Sequence, residues 1–99
     1  MIQIKGPEVE ILAEQSTTFV LDVRSQREFE AIALKNANLI PVDQLSLRKD
    51  ELPKDKNTTI LVYCAHGVRS MTAAKILESL GYTKVKNLTG GLSAHYGLP

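Results

Sequence analysis

Residues 59 to 70 read Thr-Ile-Leu-Val-Tyr-Cys-Ala-His-Gly-Val-Arg-Ser, TILVYCAHGVRS, and hold the only cysteine of the chain. Thr59 to Tyr63 is rich in β-branched and aromatic residues and shows no polar alternation, the pattern of a strand covered on both faces. After the cysteine, Met71, Ala74, Leu77 and Leu80 recur at helical spacing, and Gly81 stands where a left-handed C-terminal cap belongs. The loop from Cys64 to Arg69 therefore joins a strand to a helix that starts at about Ser70. That is one half of a parallel α/β unit.

Outward from this unit the same alternation repeats. Ile2 to Ile4 is a short strand; Gly6-Pro7 opens a helix through Val9, Ile11 and Leu12, with proline suited to a first helical position. Phe19 to Val23 is a second covered strand ending in Asp22, Arg24 and Ser25. Ser25 starts a helix, and Glu28 three residues on completes a capping box. Asn38 to Val42 is a short strand stopped by Pro41, after which Asp43 caps a helix carrying Leu45 and Leu52. Pro53 to Thr58 is a solvated loop, Lys84 to Leu88 a last strand, and Gly90-Gly91 a turn. The expected fold is α/β, three layers, with a mostly parallel sheet of about five strands and helices on both faces.

Composition sets bounds. Ninety-nine residues with 43% hydrophobic and 23% charged content make one domain, residues 1 to 99, without repeats. A single cysteine forms no internal disulfide, and neither a leader nor a long apolar run is visible, so a cytoplasmic protein with reduced thiols and no membrane contact is expected. The formal charge of +1, with no Lys/Arg cluster and five aromatic residues, argues against nucleic acid.

The chemistry concentrates at the loop. In a parallel sheet, ligands collect at the carboxyl ends of strands, which is where Cys64 lies. A helix N-terminus presents free amides and partial positive charge, and Arg69 adds a full one; such settings lower a thiol pKa from about 8.5 into a range of roughly 3.5 to 7.5. A shift of about two units takes the thiolate fraction at neutral pH from about 3% to roughly three quarters. A lone cysteine ending a strand can also be a small buried apolar residue. A glycine-containing loop, Arg-Ser and an immediate helix favour the nucleophile, and Gly67 suits a loop that must turn tightly around one sulfur.

CAHGVRS resembles the Cys-x-x-Gly-x-Arg-Ser active-site loop of the rhodanese family of sulfurtransferases. LDVRSQREF resembles that family's Asp-Val-Arg-x-x-x-Glu-Phe/Tyr element, and AAKILESLGYTKVKNLTGG its helix, Gly-Tyr, strand and Gly-Gly ending. The resemblance spans about Phe19 to Ala94. It implies a Cys64 persulfide that takes a sulfane sulfur from thiosulfate or a polysulfide and hands it to a thiol or cyanide, with no cofactor and no metal. Cys64 and Arg69 are then the catalytic pair, and Ala65, His66, Gly67, Val68 and Ser70 the substrate-binding loop. Asp22 is expected to orient Arg69 or the loop, and Arg24 to serve as a rim cation or a structural ion pair. Partners implied are a small sulfur-donor anion, a thiol acceptor and a sulfur-relay protein. The sequence departs from the pattern at Ile32-Ala33-Leu34, where Gly-His-Ile is frequent, and at His95, where Trp is usual. Three readings compete: a persulfide carrier without turnover, a regulatory binding module, and a small phosphatase. The phosphatase loop is one residue longer than the six from Cys64 to Arg69.

Overall fold

The computed structural model describes residues 1–99. Five strands, β1 (Ile2–Ile4), β2 (Thr18–Asp22), β3 (Ala37–Leu39), β4 (Thr59–Tyr63) and β5 (Val85–Leu88), form one sheet in the order β1-β5-β4-β2-β3, every neighbouring pair parallel. Four helices connect or follow them: α1 (Pro7–Glu14), α2 (Gln26–Ala31), α3 (Val68–Ser79) and α4 (Gly91–Tyr96). This is the expected α/β architecture.

The apolar run at β4 has the predicted cause. Ile60, Val62 and Cys64 face one core with Ala73, Ala74 and Leu77 of α3, while Leu61 and Tyr63 face a second core with Val9 and Ala13 of α1 and Leu92 of α4. Both sides of the central strand are dry, so no alternation is selected. Gly81 has φ +99, as a left-handed cap requires, and the Ser25–Glu28 capping box is formed in both directions.

Several boundaries differ from the sequence reading. The helix after the cysteine starts at Val68, not Ser70, because Gly67 at φ +99 already acts as its N-cap. Arg69 and Ser70 are therefore first-turn residues. Between Val42 and Glu51 there is no α-helix but two 3-10 turns, Val42–Gln44 and Lys49–Glu51, and Asp43 caps neither. Leu45 and Leu52 are buried all the same, so two apolar anchors seven residues apart were met by irregular backbone. Ile11 is 61% exposed; Val9 and Ala13 bury the inner face of α1 instead. The Gly90-Gly91 turn continues into α4, whose six residues are too few for a periodic signal. No helix is long and apolar enough to cross a membrane.

Topology fixes where a ligand can sit. From β2 the chain moves outward to β3, and from β4 outward to β5 on the other side. The crevice at the carboxyl ends of β2 and β4 is the switch point of the sheet. Asp22 to Ser25 leave one of these ends and Cys64 to Arg69 the other.

Candidate active site

Cys64 is only 1% exposed and belongs to the α3 core, yet its sulfur is not in an apolar setting. Sγ accepts from the backbone N–H of Gly67 at 3.1 Å and of Ser70 at 3.3 Å, and it shares a hydrogen bond with Ser70 Oγ at 3.4 Å. Ser70 Oγ also donates to Gly67 O at 3.2 Å, which fixes the hydroxyl against the loop. Burial pushes the thiol up and is the largest single influence. The Ser70 hydroxyl and the amides of Ser70, Gly67 and His66 together outweigh it, so the pKa lies below its ordinary value.

The donors follow from the local fold. The first N–H groups of an α-helix have no intrahelical partner, and the positive φ of Gly67 curls the preceding loop so that they share one centre with the loop amides. Ser70→Ala should consequently raise the midpoint of the pH dependence of Cys64 alkylation while leaving α3 intact. An unchanged midpoint would mean that the amides alone set the thiolate.

Arg69 does not touch the sulfur. Its Nη1 and Nη2 donate to Glu28 Oε1 and Oε2 at 2.7 and 2.9 Å, across from the first turn of α3 to that of α2. Asp22 was expected to orient Arg69 or the loop; Arg69 is held by Glu28 instead, and the hydrogen bonds of the Asp22 carboxylate go to Arg24. Asp22, fully buried, binds Arg24 through its N–H at 2.9 Å and its guanidinium at 2.7 to 3.1 Å. Arg24, 4% exposed, also donates to Ile32 O and lies 5.5 Å from the Tyr63 ring centroid. It is a structural ion pair and not a rim cation. Buried and beside the Asp22 carboxylate, the Tyr63 phenol is pushed up and accepts from Leu34 N at 3.1 Å.

Glu28 was legible only as a cap. Its Oε1 accepts from Ser25 N at 3.1 Å and Ser25 Oγ at 3.0 Å as well as from Arg69. The Arg69 hydrogen bonds are the main reason its carboxyl falls from an ordinary 4.5 to about 2, with the Ser25 bonds adding to the effect against partial burial. Because the folded value is depressed, the stabilisation is complete above about pH 4.5 and is lost as the pH falls toward 2. The difference in melting temperature between the wild type and Glu28→Gln should accordingly shrink over that interval. A constant difference would show that the charge of Glu28 carries none of it.

The remaining loop residues divide by exposure. Ala65 O accepts from Ser93 N at 3.0 Å and Cys64 O from Leu92 N at 2.8 Å, so the start of α4 takes up the loop carbonyls and leaves the amides for the sulfur. His66 is exposed, with Nε2 3.2 Å from Ser93 Oγ. Val68 is 77% exposed at the mouth of the loop. Gly91 permits the close approach: a Cβ there would lie 2.4 Å from the Ala65 carbonyl carbon and oxygen. Sequence reasoning placed a turn at Gly91 but not this brace. His95 and Tyr82 are largely buried: His95 Nε2 meets Glu10 Oε1 at 2.6 Å, and Tyr82 donates its hydroxyl to Pro53 O.

Comparison with known proteins adds three kinds of likeness. The profile of the Rhodanese-like domain matches residues 8–97. A sulfurtransferase of Allochromatium vinosum is 33% identical over 90 residues, covering 89% of this chain and 82% of that protein. Among solved structures, reduced Bacillus anthracis CoADR-RHD superposes with a TM-score of 0.86 at 32% identity, over 96% of this chain but 16% of that one. The human single-domain sulfurtransferase TSTD1 gives 0.76 at 27%, over 92% and 91% of the two chains.

Proposed function

Because the chain belongs to the rhodanese-like domain family, we propose that it is a sulfurtransferase of rhodanese type working through a persulfide on Cys64. The observation that carries this reading is the set of polar groups gathered on one sulfur: Gly67 N and Ser70 N donate to Sγ at 3.1 and 3.3 Å, and Ser70 Oγ lies 3.4 Å from it. Such donors stabilise a thiolate before reaction and, by the same dipoles, the terminal sulfur anion after it.

In the first half-reaction the Cys64 thiolate attacks the outer sulfur of a sulfane donor. A new S–S bond forms to Sγ, the donor's own S–S bond breaks, and the leaving group departs with the electron pair. The amides of residues Ala65 to Ser70 receive the transferred sulfur, and Arg69 stands at the rim. In the second half-reaction a thiol or cyanide attacks the outer sulfur and returns Cys64 as thiolate. The acceptor is a small thiol, or the cysteine of a sulfur-relay protein, in a reducing cytoplasmic setting. Neither half-reaction asks for a general base. Asp22 and Arg24 support the site by fixing the chain that leaves β2.

Sulfur transfer to cyanide, read as thiocyanate, tests the assignment. Turnover that depends on both donor and cyanide is expected, with no hydrolysis of an aryl phosphate above background. Phosphate release faster than thiocyanate formation would overturn the proposal in favour of a phosphatase.

A further inference from the structure

The arginines that line the cleft beside the sulfur loop are already matched by carboxylates. Arg69 is forked onto Glu28, Arg24 onto Asp22, and Arg48 onto Glu51 at 2.7 and 2.9 Å. These three arginines share one open cleft of about 380 Å³ that meets the loop at Arg69. Asp43, exposed on the same wall, forms no ion pair. Three guanidinium groups thus stand against four carboxylates. No unpaired guanidinium lines this cleft.

Glu28 is the carboxylate nearest the chemistry, and it does two separable things. It caps α2 by accepting from Ser25, a task that glutamine performs equally well in a capping box. It also cancels the charge of Arg69, which glutamine cannot do. Resting on the sulfur-transfer reading, we propose that Glu28 is a specificity-determining residue: by neutralising Arg69 it directs Cys64 toward sulfane donors of low charge, hydropersulfides of the form R–S–SH, and away from dianionic thiosulfate. With a hydropersulfide, Sγ bonds to the terminal sulfur, the donor's S–S bond breaks, and R–S⁻ leaves with the electron pair. With thiosulfate the same attack expels sulfite. The atoms delivered to Cys64 are identical in the two cases, and the loop amides hold them alike. The leaving groups differ and so does the charge brought to the rim, and it is the charge that Glu28 addresses.

The test measures second-order loading of Cys64 by intact mass, with thiosulfate and with cysteine hydropersulfide, in the wild type, Glu28→Gln and Ser25→Ala. Wild type should load faster from the hydropersulfide. Freeing one positive charge at roughly 6 Å from a dianion in water should raise thiosulfate loading of Glu28→Gln about tenfold at low salt. In about 1 M salt, where charges are screened within about 3 Å, that gain should vanish. Hydropersulfide loading should stay within about twofold, as expected for a donor of smaller charge. Ser25→Ala keeps the Glu28 charge and weakens the cap, so it should lower the melting temperature without moving the donor ratio. An unmoved ratio in a folded Glu28→Gln, or thiosulfate preferred by the wild type, would overturn the role of Glu28 and leave sulfur transfer standing. No loading from either donor in any variant would overturn both.

Discussion

Cys64→Ser is expected to give a folded protein that gains no sulfur from any sulfane donor and forms no thiocyanate. The serine hydroxyl is close in size to the thiol and meets the same donors, Gly67 N and Ser70 N, so the buried polar atom does not go unpaired. What disappears is the nucleophile. Removing an attacking group from comparable sites costs on the order of 10⁴-fold or more in rate. No second cysteine is present to take over. Thiocyanate formation by Cys64→Ser at more than a trace of the wild-type rate would remove Cys64 from the mechanism.

Gly91→Ala should be the most damaging conservative change away from the sulfur. A methyl group at this position would enter the backbone of the loop, 2.4 Å from the Ala65 carbonyl and 2.6 Å from His66 N, and backbone cannot swing aside as a side chain can. Gly91 also sits at φ +71, where a Cβ is itself strained. Left-handed strain of about 1–2 kcal/mol and overpacking of about 1–3 kcal/mol add to roughly 3 kcal/mol. For a domain of this size that is a fall in melting temperature of roughly 12–24 °C. The chain can avoid the clash only by moving α4 from the loop, which gives up the bonds from Leu92 N to Cys64 O and from Ser93 N to Ala65 O. Activity should then fall more steeply than stability. The check is a thermal melt beside a sulfur-transfer assay on the folded fraction; Gly91→Ala with wild-type melting and turnover would show that α4 does not brace the loop.

The parts of the molecule that were readable from sequence are those with a local cause. Val62, Cys64 and Gly67 lie in one strand-loop-helix unit whose apolar run, glycine and helical spacing each carry their own signal. The Ser25–Glu28 cap is likewise a contact between near neighbours. Long-range choices were not readable. Nothing local says whether Arg69 will meet Asp22 or Glu28, since both carboxylates follow from the same strand end. The outcome depends on the turn of α2, which carries Glu28 over toward α3, and on Arg24 occupying Asp22 first. The brace by α4 was hidden for a related reason: six residues give no period, and the meaning of Gly91 lies in the backbone of Ala65, far away in the chain. The segment from Val42 to Leu52 shows the opposite failure, in which a helix-like set of apolar anchors is satisfied by turns because Leu45 and Leu52 need only reach the core.

A persulfide on Cys64 is the central claim, and intact mass of the protein after incubation with cysteine hydropersulfide or thiosulfate tests it most directly. The wild type should gain the mass of one sulfur atom, lose it on addition of dithiothreitol, and show neither change as Cys64→Ser. A wild-type mass that stays unchanged with both donors, or a gain that survives dithiothreitol or persists in Cys64→Ser, would contradict the account.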